Sequence, residues 1–315
     1  MTNMIYRRLG RSGLKVSVIS FGAWMAIQEP VDQELFDKLM KMSYDAGINF
    51  FDNAEYYTHG LSETVMGISI KNNGFKREDL VISTKIFFGT NGWGPNAKGL
   101  SKKHLVEGMN ASLKRLQLDY VDLVFAHRPD PEVPMEEIQI TEAHVIAREL
   151  GLEGPVMEQP QYNIFNRERV EKEYLPLYEN FGLGTTIWSP LAHGVLTGKY
   201  TNGIPQGARF DGAEGVHKVH VGRFNHDKGK DQIQRVPRLE PIAKQLGCTL
   251  PQLAIAWCIK NPNVSTAITA FSKVEQFESN IKCLDIIDKL TPEIMNQIDD
   301  IFETKPTQVA NFRDQ

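Results

Sequence analysis

Short apolar runs alternate with longer amphipathic ones along most of this chain. The apolar runs are rich in β-branched and aromatic residues and end at turn signals, so they read as buried strands. Seven such strands begin near Val16, Asn49, Leu80, Tyr120, Pro155, Thr185 and Ser265. A hairpin is expected before the first of them, around the turn "GRSG". Between the strands the apolar positions recur at helical spacing. Leu35, Leu39, Met40 and Met42 mark a helix over 32–46, and "LSETVMGISIKN" marks another, with Ser62 and Glu63 suited to its start. Further helices are expected over 102–116 and 135–150, in "VEKEYLPLYENFG", "VPRLEPIAKQLGCT", "LPQLAIAWCIKNP" and "KVEQFESNIKCL", and at the C-terminal end. Residues 194–234 have no clear period and read as a long site loop. Strand–helix alternation with no linker predicts one α/β domain over 1–315, either a parallel barrel or an open doubly wound sheet.

Composition changes this picture little. The 315 residues carry a net charge of −4, which gives no sign of a nucleic-acid partner. Three cysteines, Cys248, Cys258 and Cys283, lack CxxC spacing and are expected to be reduced. No apolar run approaches membrane-spanning length and no leader pattern opens the chain, so a cytoplasmic location without membrane insertion is expected. His217, His220 and His226 lack an acidic or cysteine partner at ligand spacing, and no metal site is expected.

The chemistry lies just past the strands. Asp52 and Tyr57 follow one apolar run, Lys85 ends the next and His127 ends the one after. Taken singly, each is an ordinary loop residue; four at three successive strand ends are harder to dismiss, because barrel active sites are built there. A phenol titrates near 10, too high for a good acid at neutral pH; an adjacent ammonium lowers that value, and a carboxylate keeps the ammonium charged. A histidine nearby can orient a carbonyl oxygen. The set suits carbonyl reduction with Tyr57 giving the proton.

The motifs "FDNAEYYTHGLSE", "ISTK", "HRPDP", "EQPQYN" and "WSPLAHGVLTGKY" resemble the aldo-keto reductases, and most closely the branch like potassium-channel β subunits. The resemblance implies a TIM-type (β/α)8 barrel that binds NADP(H) without a Rossmann glycine motif, with Asp52, Tyr57, Lys85 and His127 at the catalytic positions. Animal channel subunits commonly have asparagine at the place of His127, so histidine favours an enzyme over a purely regulatory subunit. By the same resemblance Gln159 meets the nicotinamide amide and Trp188 stacks on its ring. Ser189, Leu191, Gly194 and Lys199 line the pyrophosphate path, Arg209 supplies a basic contact, and Ser272, Gln276 and Asn280 hold the adenosine phosphate. Lys273 favours NADP over NAD, whereas Ala270 and Ser279 depart from the usual glycine and glutamate. The expected substrate is a small carbonyl compound; a membrane channel or a second copy is the expected protein partner. The family needs eight strands and only seven are recognisable. Relatives carry roughly 25 more residues between Glu137 and Ile138, holding the fifth strand. Removing a strand leaves open edges, which are sticky and costly, so a disabled variant is a further expectation beside the enzyme and the channel subunit.

Overall fold

A computed structural model describes residues 3–24, 31–90, 92, 94–130, 139–206, 208, 210–212, 221–222 and 226–307. The contacts of the chain fall into two compact units, Met1–Met157 with Ile268–Glu278, and Glu158–Ala267 with Ser279–Gln315.

The first unit opens with an antiparallel hairpin of β1 (Tyr6–Arg8) and β2 (Lys15–Ser17). The expected strand from Val16 is divided: β2 belongs to the hairpin, and after Val18 the chain enters β3 (Ile19–Gly22) in a different sheet. β4 (Phe50–Asp52), β5 (Val81–Ile86) and β6 (Leu123–Ala126) follow, each parallel to the one before. On the other side of β3 lies the end of the last strand, β9 (Val264–Thr269), where Thr269 donates to the Ser20 carbonyl at 3.0 Å. The hairpin's Leu9 and Val16 pack on Phe50, Val81 and Leu123, the first residues of β4, β5 and β6. Each of these buried side chains is worth about 1.5–3 kcal/mol, so the hairpin seals the N-terminal ends of the strands and leaves the C-terminal ends for chemistry.

The helices of this unit start where short polar side chains can cap them. Asp32 accepts from the Leu35 amide ahead of α1 (Gln33–Asp45), and Ser101 from the His104 amide ahead of α3 (Lys102–Leu116). α2 (Leu61–Asn72) departs from expectation at its start. Its cap is left-handed Gly60, while Ser62 and Glu63 are buried. Glu63 is bonded by Thr84 of β5 and Arg115 of α3, partners no local pattern announces. α4 (Gln139–Glu149) matches the end of the helix expected over 135–150; its start and the Glu137–Ile138 junction lie outside the described residues. β6 bonds β5 on one side, and no described strand bonds its other edge.

In the second unit β8 (Gly184–Ile187) lies between β7 (Met157–Glu158) and β9 (Val264–Thr269). One expected helix breaks in two, a π-helical turn Arg169–Glu173 and α5 (Leu175–Phe181), because Pro176 cannot donate within a continuous helix. Part of the expected loop over 194–234 is helical: α6 (Asp227–Arg235) packs against the Val236–Leu239 turn and the terminal helix. α7 (Glu240–Leu246) precedes α8 (Leu250–Lys260), which is apolar nearly all round, buried, and opened by a Thr249–Gln252 capping box. α9 (Val274–Asn280) runs from one unit into the other, and α10 (Pro292–Phe302) ends the described helices. The described strands β3 to β9 number seven.

Candidate active site

Three neighbouring strands bring the tetrad together in the first unit. Asp52 is the last residue of β4 and pairs in register with Ser83, whose hydroxyl donates to Asp52 Oδ1 at 2.8 Å. Alternation along β5 sends Ser83 and Lys85 to one face and Thr84 to the other, where Glu63 takes its hydroxyl. Lys85 pairs with Phe125 of β6, and His127 follows that strand directly, its amide bonded to the Ile86 carbonyl at 3.1 Å.

The Lys85 ammonium has three donors and the site uses all three. They reach Asp52 Oδ2 at 2.6 Å, the Asn53 carbonyl at 2.7 Å and the Tyr57 hydroxyl at 2.9 Å. Asp52 and Lys85 are each 2% exposed. Burial pulls the Lys85 pKa down, but Asp52 and Tyr57 more than offset it, so the amine titrates above its ordinary value and is charged at neutral pH. For Tyr57 burial raises the pKa, Lys85 lowers it, Asp52 raises it, and Lys85's hydrogen bond and Arg128 lower it; the balance is upward. The lowering by Lys85 thus acts as expected but burial outweighs it, and the phenol is protonated at rest. Because the Tyr57 oxygen accepts from Lys85, its own proton is free for a further acceptor.

His127 meets Tyr57 edge-on at 5.8 Å between ring centroids and Phe88 at 5.1 Å. Burial, then Lys85 and Arg128, lower its pKa to about 3. The imidazole is neutral through the working range, suited to donate a hydrogen bond but not to act as a strong acid. Its Nδ1 is buried without a hydrogen-bond partner among the described residues. Trp24 stacks on the Tyr57 ring at 6.0 Å between centroids.

The segment carrying Tyr57 is strained. Thr58 and His59 have φ of 47° and 52°, ahead of Gly60 at 90°. A left-handed threonine costs roughly 1–3 kcal/mol and persists only where its surroundings hold it. His59 Nδ1 lies 3.2 Å from the Thr90 carbonyl, and Thr64 donates to the Gly60 carbonyl at 3.3 Å.

The second unit gathers most of the expected cofactor residues around the ends of β7 and β8. Gln159 Nε2 donates to Thr186 Oγ1 at 3.4 Å, and the Trp188 amide bonds the Pro160 carbonyl at 3.0 Å. Beyond Trp188 the backbone turns left-handed at Ser189, Ala192, His193 and Gly194. Ser189 Oγ accepts from the His193 amide at 3.0 Å, and the Gly194 amide bonds the Leu191 carbonyl at 2.8 Å. Lys199 lies over this turn: a Cβ on Gly194 would stand 3.2 Å from its Cε. Thr266 of β9, in register with Thr186, has a buried hydroxyl without a hydrogen-bond partner among the described residues. Sequence reasoning missed Thr266, since a threonine inside a strand carries no signal of its own. An amide, two threonine hydroxyls, an indole and a lysine beside a glycine turn are a donor set that fits a nicotinamide dinucleotide. Ser272 and Gln276 stand together in the first unit, with Gln276 Oε1 accepting from the Ser272 amide at 2.9 Å. Asn280 ends α9 in the second unit and is 9% exposed, and Arg209 lies outside the described residues. His217 and His220 also lie outside them, and no group of metal-ligating residues occurs among those described.

The chain matches the aldo/keto reductase family over residues 18–143 and 138–303. It belongs to that family, whose fold is the TIM-type (β/α)8 barrel. Among its relatives are two proteins named probable voltage-gated potassium channel subunit beta. That of Oryza sativa subsp. japonica and that of Arabidopsis thaliana are each 46% identical over 335 aligned positions, spanning 98% of this chain and all of the relative. A putative voltage-gated potassium channel subunit beta of Schizosaccharomyces pombe is 46% identical over 336 positions, with 99% and 97% coverage. Of the 335 positions, 98% of 315 residues fills about 309, so about 26 hold no residue of this chain. The two stretches of the family match meet at 138–143, beside the junction where the missing strand was expected. No helix among the described residues is long and apolar enough to cross a membrane.

Proposed function

We propose that the chain is an NADPH-dependent reductase of small aldehydes and ketones. The observation that carries this reading is the Asp52–Lys85–Tyr57 array at 2.6 and 2.9 Å. NADPH would supply the hydride. Gln159, Thr186 and Thr266 would hold its carboxamide end, Trp188 its ring, and the turn through Ser189, Leu191 and Gly194 with Lys199 its pyrophosphate. Ser272, Gln276 and Asn280 are assigned to the adenosine phosphate end and Arg209 to a basic contact on the cofactor, with Lys273 selecting the extra phosphate of NADP. Neutral His127 donates a hydrogen bond to the carbonyl oxygen and fixes its direction. Tyr57 gives its phenolic proton to that oxygen as negative charge develops there. Lys85 then faces a phenolate at hydrogen-bond distance, and Asp52 keeps Lys85 charged and aimed. A single barrel domain over 1–315 is part of the same proposal.

The direct experiment is turnover of a simple aldehyde with NADPH, preceded by quenching of NADPH fluorescence on binding. Trp188→Ala should weaken NADPH binding about tenfold, or roughly 1.4 kcal/mol; equal affinities would remove Trp188 from the cofactor site. A second reading, a cofactor-binding regulatory subunit of a membrane channel, is favoured by the names of the relatives. It predicts NADPH binding without useful turnover and capture by a channel's cytoplasmic domain.

A further inference from the structure

Glu55 stands between Asp52 and Tyr57 and is 1% exposed. A carboxylate sealed from water is costly unless hydrogen bonds satisfy it. Here Oε1 accepts from the Phe87 amide at 2.7 Å, the Gly89 amide at 2.8 Å and His104 Nε2 of α3 at 3.2 Å. The Glu55 amide in turn bonds the Lys85 carbonyl at 3.2 Å. α3 makes room for this side chain at Gly108, where a Cβ would stand 2.9 Å from Glu55 Oε2. One residue therefore joins the segment that carries Tyr57, the turn that leaves β5 just after Lys85, and the first turn of α3. Between the two tethered amides lies Phe88, whose ring meets both His127 at 5.1 Å and Tyr56 at 5.0 Å.

We propose that Glu55 is a positioning residue for the proton-transfer apparatus: through the Phe87–Gly89 amides, and supported by His104, it fixes Tyr57 and Phe88 relative to Lys85 and His127. Its carboxylate bonds two backbone amides and an imidazole outside the tetrad, so it acts through the backbone it ties. The two tethered amides lie two and four residues beyond Lys85, and Tyr57 lies two beyond Glu55. Releasing the tether frees both segments at the point where the Lys85–Tyr57 hydrogen bond spans them. A misplacement near 1 Å costs about 10²-fold in turnover. The proposal rests on Tyr57 being the acid, yet its geometric half is readable without turnover.

The experiment compares wild type, Glu55→Leu, Glu55→Gln and His104→Ala in the intact chain. Three readouts are taken: thermal unfolding, kcat and KM for an aldehyde with NADPH, and the ring-carbon resonance of Tyr57 in tyrosine-labelled protein, assigned by its loss in Tyr57→Phe. Folded Glu55→Leu should lose about 10²-fold in kcat with KM changed less than roughly threefold, and the Tyr57 resonance should move. Glu55→Gln keeps an acceptor for the amides and should recover to within about tenfold of wild type with the resonance near its original place. A folded Leu variant with the Tyr57 resonance unmoved overturns the proposal, whatever its kcat. Should Glu55→Leu fail to fold, His104→Ala decides: a shift of the same resonance supports the tether and an unmoved one overturns it. Undiminished turnover in Tyr57→Phe would instead overturn the acid assignment, and the resonance comparison would still report on Glu55.

Discussion

Removing the Lys85 ammonium tests the site as a piece of physical chemistry. In Lys85→Met three hydrogen bonds vanish, to Asp52, to the Asn53 carbonyl and to Tyr57. The Asp52 carboxylate stays 2% exposed and keeps the Ser83 hydroxyl on Oδ1, but loses the ammonium from Oδ2. Breaking a buried ion pair by deleting one partner costs about 3–5 kcal/mol, because the surviving charge stays buried without its counter-charge. That is a large share of a domain stability of about 5–15 kcal/mol. Replacing both partners removes the buried carboxylate charge together with its cation. Asp52→Asn with Lys85→Met keeps an acceptor for Ser83 and should regain at least about 2 kcal/mol, a strong coupling in a double-mutant cycle. Turnover should stay lost in both, since Tyr57 has lost the ammonium at hydrogen-bond distance that would stabilise its phenolate. The assay is urea unfolding followed by tryptophan fluorescence, paired with aldehyde turnover. Stability of Lys85→Met within about 1 kcal/mol of wild type would refute the reasoning, as would activity in the double variant.

Two further outcomes follow. His127 has a folded pKa of about 3 against an ordinary value of 6.5, so the unfolded chain binds more protons between those values and stability falls as pH drops through that window. From pH 7 to pH 5 this side chain should cost about 1–2 kcal/mol, allowing for its partial exposure, and His127→Asn should lose stability by that much less; equal pH dependence in the two proteins contradicts the neutral buried imidazole. Inserting the relatives' missing segment after Glu137 should raise the Tm by at least about 5 °C and tighten NADPH binding; identical melting and affinity would make the segment dispensable.

The sequence carried much of this fold and site, and the misses have physical causes. Strand ends were legible because β4, β5 and β6 are short apolar runs with Asp52, Lys85 and His127 at or beside their ends, although β6 alternates buried with exposed positions; the three strands bring those residues and Tyr57 into one place. The helices expected from Asp32 and from Lys102 were legible and match α1 and α3. The break at Val18 was not legible, because one apolar run feeds two different sheets. Glu63 reads as a helix-start residue, and Glu55 carries no local signal of its own. Their burial depends on His104, Thr84 and Arg115, which come from distant elements. α6 has Ile233 as its one large apolar residue, and it is helical through packing on the terminal helix and not through its own pattern.

The measurement that tests the central claim most directly is turnover of an aldehyde by Tyr57→Phe, with NADPH affinity measured on the same sample. The phenyl ring keeps its stacking on Trp24 and its edge contact with His127, so only the hydroxyl is removed. General acid catalysis is worth about 10²–10⁴-fold. The account predicts a loss in that range in kcat with NADPH affinity unchanged. A loss below about tenfold, with the wild type active, would contradict the assignment of Tyr57 as the acid.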